Sequence, residues 1–137
     1  MERLKLDMNR DFKCKAETLF KAIGEGVLFK MTGVIEGKWS ADFKEGGAIH
    51  LEWNDCSPVK GVFTKITPHT NIDFTWDYFS KGADKYIETD INIIITENEN
   101  GSNLQLIHTG FHSEADRADH NDGWTSSVKD FSEMMES

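Results

Sequence analysis

Leu104-Gln105-Leu106-Ile107-His108-Thr109-Gly110-Phe111, then Asp119-His120-Asn121-Asp122-Gly123 and Trp124, is the stretch on which the fold turns. The first piece alternates like a strand with one buried face and closes on a glycine. The second is a charged approach to an amphipathic helix led by Trp124. Val128, Phe131 and Met135 follow Trp124 at steps of four, three and four, which lays four large apolar side chains along one helical stripe. A strand followed by one long helix implies a sheet folded about that helix, with room for a ligand between them.

Working back from that stretch, the middle of the chain is a run of period-two segments. Ile72, Phe74, Trp76 and Tyr78 alternate with Asn71, Asp73, Thr75 and Asp77, the cleanest half-buried strand pattern present. Lys85 to Thr96 and Ser102 to Phe111 read as the next two strands, joined by a polar turn at Glu97 to Gly101. Val59 to Thr67 reads as a strand stopped at Pro68. Trp39, Ala41 and Phe43 alternate with polar residues, as do Ile49, Leu51 and Trp53. Glu45-Gly46-Gly47 makes the tight turn between those two strands. Met1 to about Phe12 reads as an opening strand. Ala16, Leu19, Phe20 and Ile23 then mark a short helix over Lys15 to Ile23, ended by Gly24 and Gly26. Val27 to Met31 reads as a second helical turn stopped by Gly33. The expected order is strand, two helices, six consecutive antiparallel strands and a long terminal helix that covers the apolar face of the meander.

The 137 residues suit one domain, spanning residues 1–137, that buries roughly two-thirds of its unfolded surface. At 38% hydrophobic and 28% charged, this is the composition of an ordinary globular chain. No apolar run approaches the ~20 residues of a membrane span, and the charged, alternating start is unlike a signal peptide. A cytoplasmic location is the expectation. The formal net charge is −9, and residues 97–137 carry nine acids against two bases. Such a surface repels a phosphate backbone, so nucleic acid is not an expected partner. Cys14 and Cys56 are far apart, in no metal or redox spacing, and are expected as free thiols.

Several pieces together resemble one family, the activator of heat-shock protein 90 ATPase homologues, within the START-like superfamily of helix-grip folds. They are Ala16-Glu17-Thr18-Leu19-Phe20-Lys21-Ala22, Asp42-Phe43-Lys44-Glu45-Gly46-Gly47, Gly61 to Pro68, Asn71 to Trp76, His108-Thr109-Gly110-Phe111, and His120 with Gly123-Trp124. Similar proteins often carry a proline and a tryptophan where this chain runs from Gly24 to Gly33. The additional amino-terminal domain of the eukaryotic co-chaperone has no counterpart in the sequence. The resemblance implies an α+β helix-grip fold, a curved antiparallel sheet wrapped around the carboxy-terminal helix. It also implies an apolar cavity between the two, used in such proteins for lipids, sterols, polyketides or hormones and in a few for catalysis.

Alternation turns Trp39, Phe43, Ile49, Leu51, Trp53, Phe74, Trp76, Tyr78 and His108 toward that helix. His120, four residues before Trp124, joins Trp124 and Val128 on the helix stripe. The expected site is thus aromatic, with His108, Tyr78, His120 and the indole nitrogens as polar handles, suited to a flat, largely apolar molecule. His112, Asp116 and His120 recur at intervals of four and with His108 could offer metal ligands, but that needs a helix continuous despite the glycines at 110 and 123, no cysteine joins them, and no metal or other cofactor is expected. No nucleophile elbow, phosphate loop or cysteine–base pair is present. The leading expectation is a binding protein for a small hydrophobic molecule. The alternatives are a chaperone-interacting protein using the acidic helix face, and a cyclase- or hydrolase-like enzyme using His108 or Tyr78 for proton transfer.

Overall fold

The structure, a computed structural model, describes residues 4–136; Met1, Glu2 and Arg3 of the expected opening strand lie outside them. Strand β1 (Lys5–Phe12) leads into helices α1 (Ala16–Gly24) and α2 (Val27–Met31). Six strands follow: β2 (Trp39–Ala41), β3 (Ala48–Leu51), β4 (Val59–Thr67), β5 (Asn71–Ser80), β6 (Lys85–Asn98) and β7 (Gly101–Thr109). Helix α3 (Glu114–Glu136) ends the chain. The strands form one antiparallel sheet in the order β1-β7-β6-β5-β4-β3-β2. A meander accounts for β2 to β7. The opening strand then pairs with the last, Leu6 opposite His108 and Phe12 opposite Ser102.

The period-two pattern explains which face is covered. Ile72, Phe74, Trp76 and Tyr78 of β5 are buried, as are Ile91, Ile93 and Ile95 of β6 and Leu104, Leu106 and His108 of β7. Trp124, Val128 and Phe131 of α3 are buried against that face. Each such apolar side chain contributes about 1.5–3 kcal/mol relative to exposure, which is what holds helix to sheet. The register between β4 and β5 slips between Phe63 and Lys65, an irregularity of the kind that bends a strand. The result is the expected α+β helix-grip architecture, a curved sheet closed over the terminal helix.

Two boundaries differ from the sequence reading. The expected strand through Trp39, Ala41 and Phe43 ends at Ala41, because the chain turns back at once. Asp42 N–H donates to Ala48 O at 3.0 Å and Gly46 N–H to Phe63 O at 2.8 Å. Trp53 likewise lies past the end of β3. The second difference is larger. The charged approach Asp119–Gly123 is not a separate segment, because α3 begins at Glu114 and runs through it without a break. Ser113 starts the helix, its Oγ accepting from the Asp116 N–H at 3.2 Å. Glu114 and Asp116 in the first turn suit the positive end of the helix dipole.

Candidate functional site

The long helix decides the site, because it carries Asp116, His120 and Trp124 over the sheet one turn apart. Beneath them lie Ser80, Tyr78 and Trp76 of β5, Thr89 of β6 and His108 of β7. These polar groups satisfy one another. An indole N–H can only donate, so Trp124 Nε1 giving its proton to His108 Nδ1 at 3.1 Å fixes that imidazole as the Nε2–H tautomer. His108 Nε2 then donates to Thr89 Oγ1 at 2.7 Å, and the threonine hydroxyl donates to the Trp76 carbonyl at 2.5 Å. On the other side Trp76 Nε1 donates to His120 Nε2 at 3.3 Å, which leaves His120 Nδ1–H to donate to Asp116 O at 2.9 Å. The Asp116 carboxylate accepts from the Tyr78 and Ser80 hydroxyls, both at 2.7 Å.

The electrostatics follow from this closure. Burial, seconded by the neighbouring His120, pulls the His108 pKa down to about 2, so the ring is neutral. His120 is lowered too, by burial, against the opposing pull of Asp116. Burial pushes Tyr78 up to about 12. For Asp116 burial raises the pKa, but the hydroxyls of Ser80 and Tyr78 and the nearby His112 and His120 outweigh it, and the net shift is downward.

Beside this network a cavity of about 430 Å3 opens between sheet and helix. Trp76 and Tyr78 form its floor. Asp119, His120, Gly123, Trp124, Ser126 and Ser127 of α3 make one wall. Met31 and Thr32 at the end of α2 and the loop after β3, with Trp53, Asp55, Cys56 and Ser57, make the other. Trp76 is the pivot of the aromatic lining, with its ring centroid 6.1 Å from Trp53 and 5.1 Å from Trp124. Of the residues the sequence singled out, Trp53, Trp76, Tyr78, His120 and Trp124 meet at this cavity.

The others do not line it. Leu51, Phe74 and Val128 are solid core, and His108 is fully buried behind Trp124 with both nitrogens engaged. That geometry makes His108 a support for the indole rather than a group that exchanges protons with a bound molecule. Trp39 and Phe43 lie at the far end of the sheet. Trp39 covers the positive-φ Gly26, where an added Cβ would stand 2.4 Å from the ring, and Phe43 packs between Phe20, tilted at 5.4 Å, and Phe63, edge-on at 5.3 Å. The pull on both is packing against α1 and α2, which alternation along a strand does not report. The sequence reading missed the loop Asp55–Ser57 and the helix residues Asp119, Ser126 and Ser127. For the helix a signal existed: Ser113 followed three positions later by Asp116 is a capping pattern, and starting α3 there sets Asp119 and Gly123 on its surface. The metal reading of His108, His112, Asp116 and His120 finds no support in the geometry. Among the described residues no three such groups converge as metal ligands. Cys14 and Cys56 are both free, and Cys56 stands exposed at the cavity rim.

A curved antiparallel sheet gripping one long helix, with a cavity between them, defines a START-like helix-grip protein. The model of the family described as activator of Hsp90 ATPase homolog 1-like protein matches residues 13–136, and the chain belongs to that family. Solved structures agree on the fold. A Mesorhizobium loti protein superposes with a TM-score of 0.84 at 12% identity, covering 97% of each chain. An AHSA1 protein of Silicibacter pomeroyi gives 0.79 at 23% identity, covering 96% of this chain and 97% of that one. DynU16, from the dynemicin biosynthetic locus, gives 0.79 at 13% identity over 97% of this chain and 47% of its own. No curated protein matches the chain.

Proposed function

We propose that this protein binds a small, flat, largely apolar molecule in the cleft between α3 and the loop after β3. The observation that carries the reading is the 430 Å3 cavity walled by three indoles and a phenol. A space of that size lined by aromatic faces is what small-molecule sites are made of. Membership in a helix-grip family, and a fold neighbour encoded in a biosynthetic locus, are in keeping with it. The internal hydrogen bonds of Trp76, Trp124, Tyr78 and His120 serve such a site by holding the rings in place before anything binds.

The test uses the tryptophans themselves. Trp53, Trp76 and Trp124 line the cleft and Trp39 does not. A thermal-shift screen over two- and three-ring aromatics, fatty acids and sterols is expected to stabilise the protein with at least one aromatic class. Hits are expected to change the intrinsic fluorescence of the protein, and of a Trp39→Phe variant to the same degree. A screen in which no class raises the melting temperature or alters that emission at saturating concentration sinks the reading.

A further inference from the structure

The polar chemistry around the cleft restricts what charge its occupant carries. Apart from the exposed Ser57 and Ser126 hydroxyls, the side-chain N–H and O–H donors on the lining are committed within the protein. The indole N–H of Trp53 goes to Thr32 Oγ1 at 3.1 Å, and those of Trp76 and Trp124 go to the two histidines. The Thr32 hydroxyl donates to Phe29 O at 2.6 Å and Ser127 to Gly123 O at 2.8 Å. Tyr78 and His120 give their protons to the side chain and the backbone carbonyl of Asp116. Among the described residues no lysine or arginine lines the cavity; burial and the Asp55 carboxylate push the Cys56 thiol up, and the weaker opposing pull of Lys81 comes from off the lining. Besides aromatic rings and a few small or aliphatic side chains, the charged groups that face the cleft are two exposed carboxylates on opposite walls, Asp55 from the loop and Asp119 from α3.

Such a surface has acceptors and π-faces to offer, but no cation and few free donors. A carboxylate or phosphate ligand would lose its hydration and gain no counter-charge. A cation gives up hydration too, but it is compensated by the ring quadrupoles gathered around Trp76 and by the acids at the rim. We infer that the occupant of this cleft is an organic cation, an aromatic body bearing an amine, with its rings against Trp53, Trp76 and Trp124 and its charge toward Asp55 and Asp119. This rests on the binding role proposed above and adds the charge of the ligand to it.

A matched probe series separates the two claims. Binding of 2-naphthylmethylamine, 2-naphthylmethanol and 2-naphthoate to the full chain is measured by titration calorimetry at low salt. The amine is expected to bind about tenfold or more tightly than the alcohol, and the naphthoate weakest. Added salt narrows the gap, since the rim charges are exposed. In the Asp55→Asn/Asp119→Asn double variant most of the amine's advantage over the alcohol is lost, leaving the part that the ring faces supply; an advantage of unchanged size overturns the role of the two acids. Alcohol binding equal to or tighter than the amine, or naphthoate binding tightest, overturns the cationic assignment and leaves the pocket standing. Absence of heat from all three, with an unchanged melting temperature, removes the pocket and the charge assignment together.

Discussion

The two ends of the sheet–helix interface are built from different materials. Under the second half of α3, Phe131 meets Phe12 edge-on at 5.2 Å, and elsewhere in the same core Phe74 lies 5.6 Å from Phe29 and 5.8 Å from Phe63. That end is mainly hydrocarbon packed on hydrocarbon, with the buried Ser132 hydroxyl accepting from Arg10 of β1. Under the first half lie two histidines, two indoles, a phenol, a carboxylate and two small hydroxyl residues, joined by hydrogen bonds and flanked by an open cleft. One helix therefore spans a closed core and a polar, aromatic vestibule. Hydrocarbon packing is indifferent to direction, whereas each bond in the vestibule fixes the plane of a ring. Stability resides mainly at the first end, and a preformed binding surface at the second.

Cutting into the closed end tests that division most severely. Phe131→Ala removes a fully buried ring in contact with Phe12 and is expected to cost about 3–5 kcal/mol in urea unfolding. Trp53→Ala, at the half-open mouth, is expected to cost about 1 kcal/mol although the ring is larger. Losses of equal size would abolish the contrast.

Acid distinguishes the ends next, because the vestibule holds the buried His108 and the largely buried His120, whose imidazoles titrate near neutrality when unfolded. The unfolded chain's imidazole at position 108 takes a proton below a pH of about 6.5, and the folded one not until about 2. More protons are then bound by the unfolded state, so the full stability is present above that first pH and is lost on acidification, by up to about 1.4 kcal/mol per pH unit. By pH 5 the loss is about 2 kcal/mol. The lowered pKa values of His120 and Asp116 act in the same direction. Urea midpoints of the wild type at pH 7.5, 6 and 5 are expected to fall steeply. Those of His108→Gln start lower and fall less, and parallel curves for the two proteins would remove His108 from the account.

The closed end was far more legible in the sequence than the vestibule, for a physical reason. Ile72, Phe74, Leu104 and Leu106 obey a period that any one-sided strand must show, and Val128 and Phe131 obey a helical one, so pattern alone assigns them to the core. The pairing of β1 with β7 has no such signature, since it joins residues about a hundred positions apart by register. The first half of α3 hid for the opposite reason. Its inward positions are Asp116 and His120, polar because they face a hydrogen-bond network, so the apolar stripe begins only at Trp124, and periodicity extends it back to His120 but not to Asp116. Asp55 and Cys56 looked like turn residues because a loop has no period. Trp39 and Phe43 had the right alternation, yet Gly26 and Phe20 held them elsewhere.

The mildest substitution gives the sharpest view of what the open end is for. Gly123 sits within α3 on the cavity wall, and an added Cβ there would meet nothing within 4 Å. Glycine in an exposed helical position costs about 1 kcal/mol relative to alanine, so Gly123→Ala is expected to raise stability by about 0.5–1 kcal/mol. The same methyl group projects toward the space between Trp124 and the loop after β3, and it is expected to weaken 2-naphthylmethylamine binding a few-fold. A chain that gains stability and loses affinity from one methyl group keeps that glycine for room rather than for folding. Gain in stability with binding untouched would move the bound rings away from α3 and onto the loop side of the cleft.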